Sequence, residues 1–204
     1  MSENKIKIPL NKDKWLNTIT ILMFVVGLLC VGYVLISNYL NKQSVAASGN
    51  LNCVKDSVIV ATNDEYMSGV IEKGEKIKIL TNFYNCNDVR RGDIAWYQFS
   101  NQIEPVARTV WGLPGDNYSL TEDSSKKGYW RISINGQEVT TNSEPYYIYS
   151  NSVPPLKTYE LSRGGVLLAD EYILLSNRSP GLSDSSNLGL IHKKELIGKV
   201  AINK

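Results

Sequence analysis

Histidine is almost missing from this chain, and cysteine is scarce: one His and three Cys in 204 residues. A metal centre would need carboxylates to complete its ligand set, and no ligand-like spacing is present, so neither a metal nor a cofactor is expected. Charge of one sign is also lacking. The 22 Lys and Arg stand against 20 Asp and Glu, for a net +2, which is too small a field to favour nucleic acid as a partner. Internal repeats and low-complexity tracts are absent. With 43% apolar and 21% charged residues, the composition excludes a disordered polyelectrolyte. The length fits one globular domain with an accessory segment and is short for two full domains.

The chain does have one long apolar run. No charged residue occurs from Trp15 to Asn41, and Ile19 to Ile36 is nearly all apolar, enough for a helix across a ~30 Å hydrocarbon core. The expected organisation is a cytoplasmic N-terminus over 1–14, a single transmembrane helix over 15–41, a linker over 42–52 and an exported domain over 53–204. Lys5, Lys7, Lys12 and Lys14 precede the run and only Lys42 closely follows it, so the positive-inside bias puts the N-terminus in the cytoplasm. Trp15 and Tyr39 suit the two interfaces. Cleavage of this segment as a secretory signal is the alternative, but such apolar cores are about 7–15 residues long. Cys30 falls inside the run as a small apolar side chain. On the exported side, Cys53 and Cys86 either close a loop as a disulfide or stay as two buried thiols.

Beyond the linker, short runs rich in Val, Ile, Tyr and Trp alternate with Gly, Asn, Asp and Pro clusters at hairpin spacing. The fold class is mainly β. Strands are expected at Ser57–Thr62, Lys76–Tyr84, Ile94–Phe99, Val106–Trp111, Tyr129–Ile134, Tyr146–Tyr149 and Glu171–Leu175. Asn135-Gly136, between two alternating runs, predicts a type I′ turn with both central residues at positive φ.

Four segments then occur in a telling order: Arg90-Arg91-Gly92-Asp93-Ile94, Gly112-Leu113-Pro114-Gly115-Asp116, Ile134-Asn135-Gly136 and Leu196-Ile197-Gly198-Lys199-Val200. Together with the N-terminal apolar run, they resemble bacterial type I signal peptidases across the whole exported domain. The resemblance implies a signal-peptidase-like β domain behind one transmembrane helix, and a serine protease with a Ser-Lys dyad that cuts signal peptides at the outer face of the cytoplasmic membrane. Such a dyad needs a lysine that burial has made neutral, so that it can take the serine proton, and donors for the oxyanion.

The resemblance breaks down at the dyad. The family motif Ser-Met-x-Pro-Thr aligns on Tyr66-Met67-Ser68-Gly69-Val70, so Tyr66 stands for the nucleophile. The family's Lys-Arg pair aligns on Arg108-Thr109, or with a one-residue bulge on Ala107-Arg108. Neither register supplies a lysine, and a guanidinium stays protonated and cannot act as a base. Ser68 is a shifted-nucleophile candidate, displaced by nearly 7 Å along an extended segment. Lys55, Lys73 and Lys78 are the lysines that a rearranged dyad would recruit. The family's Gly-Asp-Asn-Arg-Asp-Asn-Ser-x-Asp-Ser-Arg run lies over Ser176–Ser186, with only Asp184 and Ser185 in agreement; Leu182 replaces the supporting serine. Asp184 is a supporting candidate, as an ion-pair partner of Arg178 or Arg108 or as a solvated loop carboxylate. His192 does not fall where some relatives carry histidine.

The reading that follows is a membrane-anchored signal-peptidase-like protein without Ser-Lys catalysis, in which Met67 and Tyr66 flank a groove for an extended peptide. Its partners are the membrane, exported polypeptides or signal peptides, and an active signal peptidase or the secretion machinery. Two alternatives stand beside it. One is an active signal peptidase with rearranged catalytic residues; the other is a non-catalytic envelope scaffold using Tyr146-Tyr147-Ile148-Tyr149 as a contact surface.

Overall fold

The computed structural model describes residues 49–100 and 104–202, together with 23, 25–27 and 30–32. The last group is helical. Among the described residues no helix is long and apolar enough to cross a membrane, and most of the segment 15–41 lies outside them, as do 1–14 and 42–48. The chain divides into two compact units, of which Gly49–Asn203 is the larger.

That unit is mainly β. Its strands are β1 (Ser57–Ala61), β2 (Lys76–Thr81), β3 (Ile94–Tyr97), β4 (Val106–Gly112), β5 (Tyr118–Glu122), β6 (Tyr129–Ile134), β7 (Gln137–Glu138), β8 (Thr140–Thr141), β9 (Glu144–Pro145), β10 (Tyr147–Tyr149), β11 (Glu171–Leu175), β12 (Ile191–His192) and β13 (Leu196–Ala201). Seven form one antiparallel sheet in the order β1-β2-β13-β3-β4-β11-β12. A second sheet runs β10-β6-β5, with β7 also on β6. The β6–β7 hairpin turns at Asn135-Gly136, at φ 52° and 76°, the positive values that a type I′ turn requires.

Strand alternation distributes the core. On β3, Ala95 and Tyr97 join one cluster with Val110, Tyr172 and Leu174, whereas Ile94 joins another with Met67, Ile71, Ile77, Ile79 and Val200. On β11, Ile173 and Leu175 face a third cluster, built on the second sheet, while Tyr172 and Leu174 face back. This strand is buried on both faces, so its apolar run is continuous and does not alternate.

Several boundaries differ from the sequence expectation. The second expected strand stops at Thr81 because Asn82 turns left-handed at φ 60°, and Phe83–Asn85 follows as a 3-10 turn. β5 and β13 were not expected as strands. A ten-residue helix, Pro154–Arg163, was not expected either; it starts on two prolines and ends at left-handed Gly164, the usual punctuation of a short helix. Only Leu156 in it is buried, so its sequence carries no periodic apolar stripe.

Candidate functional site

The four segments that carry the resemblance meet in space around two carboxylates. Asp93 receives Lys199 Nζ at 2.6 Å, the Arg90 amide at 3.1 Å and the Tyr84 hydroxyl at 3.3 Å, which ties the first segment to the last. Asp116 receives the Leu113 amide at 2.6 Å, Asn135 Nδ2 at 2.7 Å and Arg91 Nη2 at 2.7 Å, which ties the first, second and third. Arg91 also donates to the Trp111 carbonyl. Desolvation raises the Asp116 carboxyl, but these donors and the Arg91 charge together hold it below its ordinary value. Burial, then Asp93, pushes the Tyr84 phenol far above its ordinary range.

The two positions aligned with the dyad, Tyr66 and Arg108, are neighbours. Arg108 Cζ lies 5.9 Å from the centre of the Tyr66 ring, close to the outer limit for a cation over an aromatic face. Tyr66 is held through its backbone: its amide donates to Asp64 Oδ1 at 2.8 Å, and its carbonyl accepts from the Asn177 and Arg178 amides, both at 2.9 Å. Arg108, on β4 opposite Ala95 of β3, is only 1% exposed. Its guanidinium pairs with the Asp64 carboxylate and donates to the Ala107 carbonyl at 2.6 Å and the Leu182 carbonyl at 2.5 Å. Its Nε has no partner among the described residues. Asp64 therefore binds both the Tyr66 backbone and the Arg108 side chain. Sequence reasoning missed it; the available signal was an acidic residue two positions before Tyr66 that could match a buried arginine.

Other candidates fall differently. Met67, expected to contact a peptide, is 1% exposed and packs with Ile71, Ile77 and Ile79; its side chain fills the core, because the 65–71 turn rolls it inward. Ser68 Oγ donates to the Glu65 carbonyl at 2.8 Å, and its own carbonyl accepts from Asn177 Nδ2 at 2.7 Å. Lys55, Lys73 and Lys78 are all exposed, where an amine keeps its charge.

Asp184 corrects both expectations for it. It is neither solvated nor ion-paired with Arg178 or Arg108, but 0% exposed. It caps the short helix Ser185–Leu188 and accepts from the Tyr146 hydroxyl at 2.5 Å, the Ser176 hydroxyl and amide at 2.6 and 2.9 Å, and the Ser186 hydroxyl and amide at 2.6 and 2.9 Å. Five donors to one carboxylate offset its desolvation without a cation. Burial, then the Asp184 charge, pushes the Tyr146 phenol well above its ordinary value. A Cβ on Gly181 would collide with Asp184, Tyr146 and Ser176, so this loop has room only for glycine there. Arg178 instead lies 3.8 Å from Glu65. His192 is partly exposed on β12, 3.3 Å from Asp170. Of the tyrosine-rich segment, Tyr146 and Ile148 point into the core and Tyr149 outward.

Cys53 and Cys86 form a disulfide, with Cα atoms 5.9 Å apart. Among the described residues no cluster of potential ligands could hold a metal ion. A groove of about 480 Å³ runs beside the site, lined by Val60, Thr62, Asp64, Trp96, Pro105 and Val106 among others. It lies between the end of β1 with the segment that follows it and residues of β3 and β4; β1 is at one edge of the seven-stranded sheet.

The model of the family described as signal peptidase, peptidase S26, matches residues 13–203. The chain belongs to the signal peptidase family. No curated protein matches it. Among 21 matching chains of solved structures is a signal peptidase I from Enterococcus faecalis V583, 17% identical, covering 55% of this chain and 97% of its own, with a TM-score of 0.38. The segments that carry the resemblance meet at Asp93 and Asp116.

Proposed function

We propose that this chain is a signal-peptidase-like protein anchored in the bacterial cytoplasmic membrane through 15–41, which holds exported polypeptides or signal peptides without Ser-Lys catalysis. The observation that carries this reading is the Asp64–Arg108 pair beside Tyr66. A dyad base must lose its proton to act, and a buried guanidinium closed onto a carboxylate does not. The groove beside the end of β1 supports the binding half of the reading, since β1 is an edge strand and a sheet edge offers backbone donors and acceptors to an extended chain. No observation favours Ser68 as a relocated nucleophile, because its hydroxyl is directed to the Glu65 carbonyl.

The test is cleavage of a model preprotein by the detergent-solubilised chain beside Y66S, R108K and the double variant. No turnover by the wild type is expected, and robust wild-type turnover refutes the non-catalytic reading. For binding, a labelled signal peptide should give a saturable anisotropy change; no binding at high micromolar concentration removes support for the groove.

A further inference from the structure

We infer that Asp64 is a third lock on this site: it keeps a cation at position 108 in the charged form, so restoring serine and lysine alone does not restore a general base. The inference rests on the non-catalytic reading above and extends it to a residue that the motif comparison does not mark. Asp64 Oδ2 is the carboxylate oxygen in contact with the Arg108 guanidinium, while Oδ1 accepts the Tyr66 amide. The carboxylate is thus fixed from two sides, and its own amide donates to Thr62 Oγ1 at 3.1 Å.

The other groups facing position 108 are the Tyr66 ring, the Tyr97 phenol, and the carbonyls of Ala107 and Leu182. Burial raises the Tyr97 phenol, the Arg108 charge opposes this, and Asp184, Glu195 and Asp64 add to it. Among the described residues, Asp64 is the carboxylate that pairs with the cation. Arg108 shows that the position is almost fully buried. Burial by itself drives an amine toward neutrality, while a carboxylate in contact favours the ammonium by about 1–3 pH units. At this site Asp64 opposes the desolvation that a lysine base depends on.

In R108K with Y66S, acylation needs the neutral amine to take the Oγ proton as Oγ bonds to the scissile carbonyl carbon. The ammonium then returns that proton to the departing amine, and water hydrolyses the ester by the same route. While Asp64 holds the ammonium, the first transfer has no acceptor. Asp64→Asn keeps an oxygen for the Tyr66 amide and removes only the charge.

The test compares full-length Y66S/R108K with Y66S/R108K/D64N, labelled with [13Cε]lysine, in micelles. The new lysine signal is assigned by its absence from Y66S. Its titration midpoint should fall by about one pH unit or more on adding D64N; indistinguishable midpoints overturn the proposal. D64S takes the place of D64N if circular dichroism shows the latter unfolded. Preprotein cleavage near neutral pH should be about tenfold faster with D64N than without it, and equal, measurable rates overturn the proposal too. A lowered midpoint with no cleavage by either variant upholds the lock and counts instead against positions 66 and 108 being those of the dyad.

Discussion

At the residue scale, Arg108 makes the strongest demand on the fold. A charge that is 1% exposed has lost nearly all its hydration, which only close, well-directed partners offset. Asp64 and two backbone carbonyls supply them. Removing one partner leaves the other uncompensated, so Asp64→Asn in the otherwise unchanged chain should lower stability by about 3–5 kcal/mol. Urea titration in micelles measures this, and an unchanged midpoint would show that the pair contributes nothing. Arg108→Met should be destabilising by a smaller amount, because Asp64 is 15% exposed in its side chain and can recover water. Arginine cannot relieve its burial by losing a proton, whereas lysine can. That difference separates a structural ion pair from a catalytic base at the same position.

At the scale of elements, the described unit is pinned where strands are far apart in sequence. The Cys53–Cys86 bond closes a 34-residue loop that contains β1 and β2, and in the chain-entropy model it stabilises by about 3–4 kcal/mol. Cys53→Ser with Cys86→Ser should lower the midpoint of thermal unfolding, with the same far-ultraviolet spectrum before melting. Asp116 pins the turn after β4 to the β6–β7 hairpin. Its folded carboxyl sits below its ordinary value. Its contribution is therefore full above the unfolded value near pH ~4 and is lost as pH falls through the folded one. Asp116→Asn should be less stable at neutral pH and lose less on acidification, which urea titrations across pH would read as a shallower acid limb.

At the scale of the whole molecule, a membrane anchor over 15–41 would hold at the membrane surface a β domain that binds without cutting. The full chain should stay in the membrane fraction after alkaline carbonate washing, and a chain starting at Gly49 should leave it. Extraction of the full chain by carbonate would refute the anchor. The same preparation serves the preprotein cleavage series. Activity in the wild type would overturn the non-catalytic reading, and Ser68→Ala would then show whether the nucleophile has moved.

Much of this was legible in the residues alone. Strand runs, the Asn135-Gly136 turn and the glycine-aspartate segments are local features, set by side-chain alternation and by which residues accept positive φ. They were enough to mark a mainly β chain of the signal peptidase family. The helix Pro154–Arg163 escaped because a single buried leucine carries no period. Met67 and Asp184 were misplaced because a turn and a loop leave burial undetermined until the rest of the chain packs on them. Only the tertiary structure decided which carboxylate meets Arg108. Asp64 stands 44 positions away, on the segment after β1, which three strands separate from β4 in the sheet order, and no local pattern encodes a contact of that range.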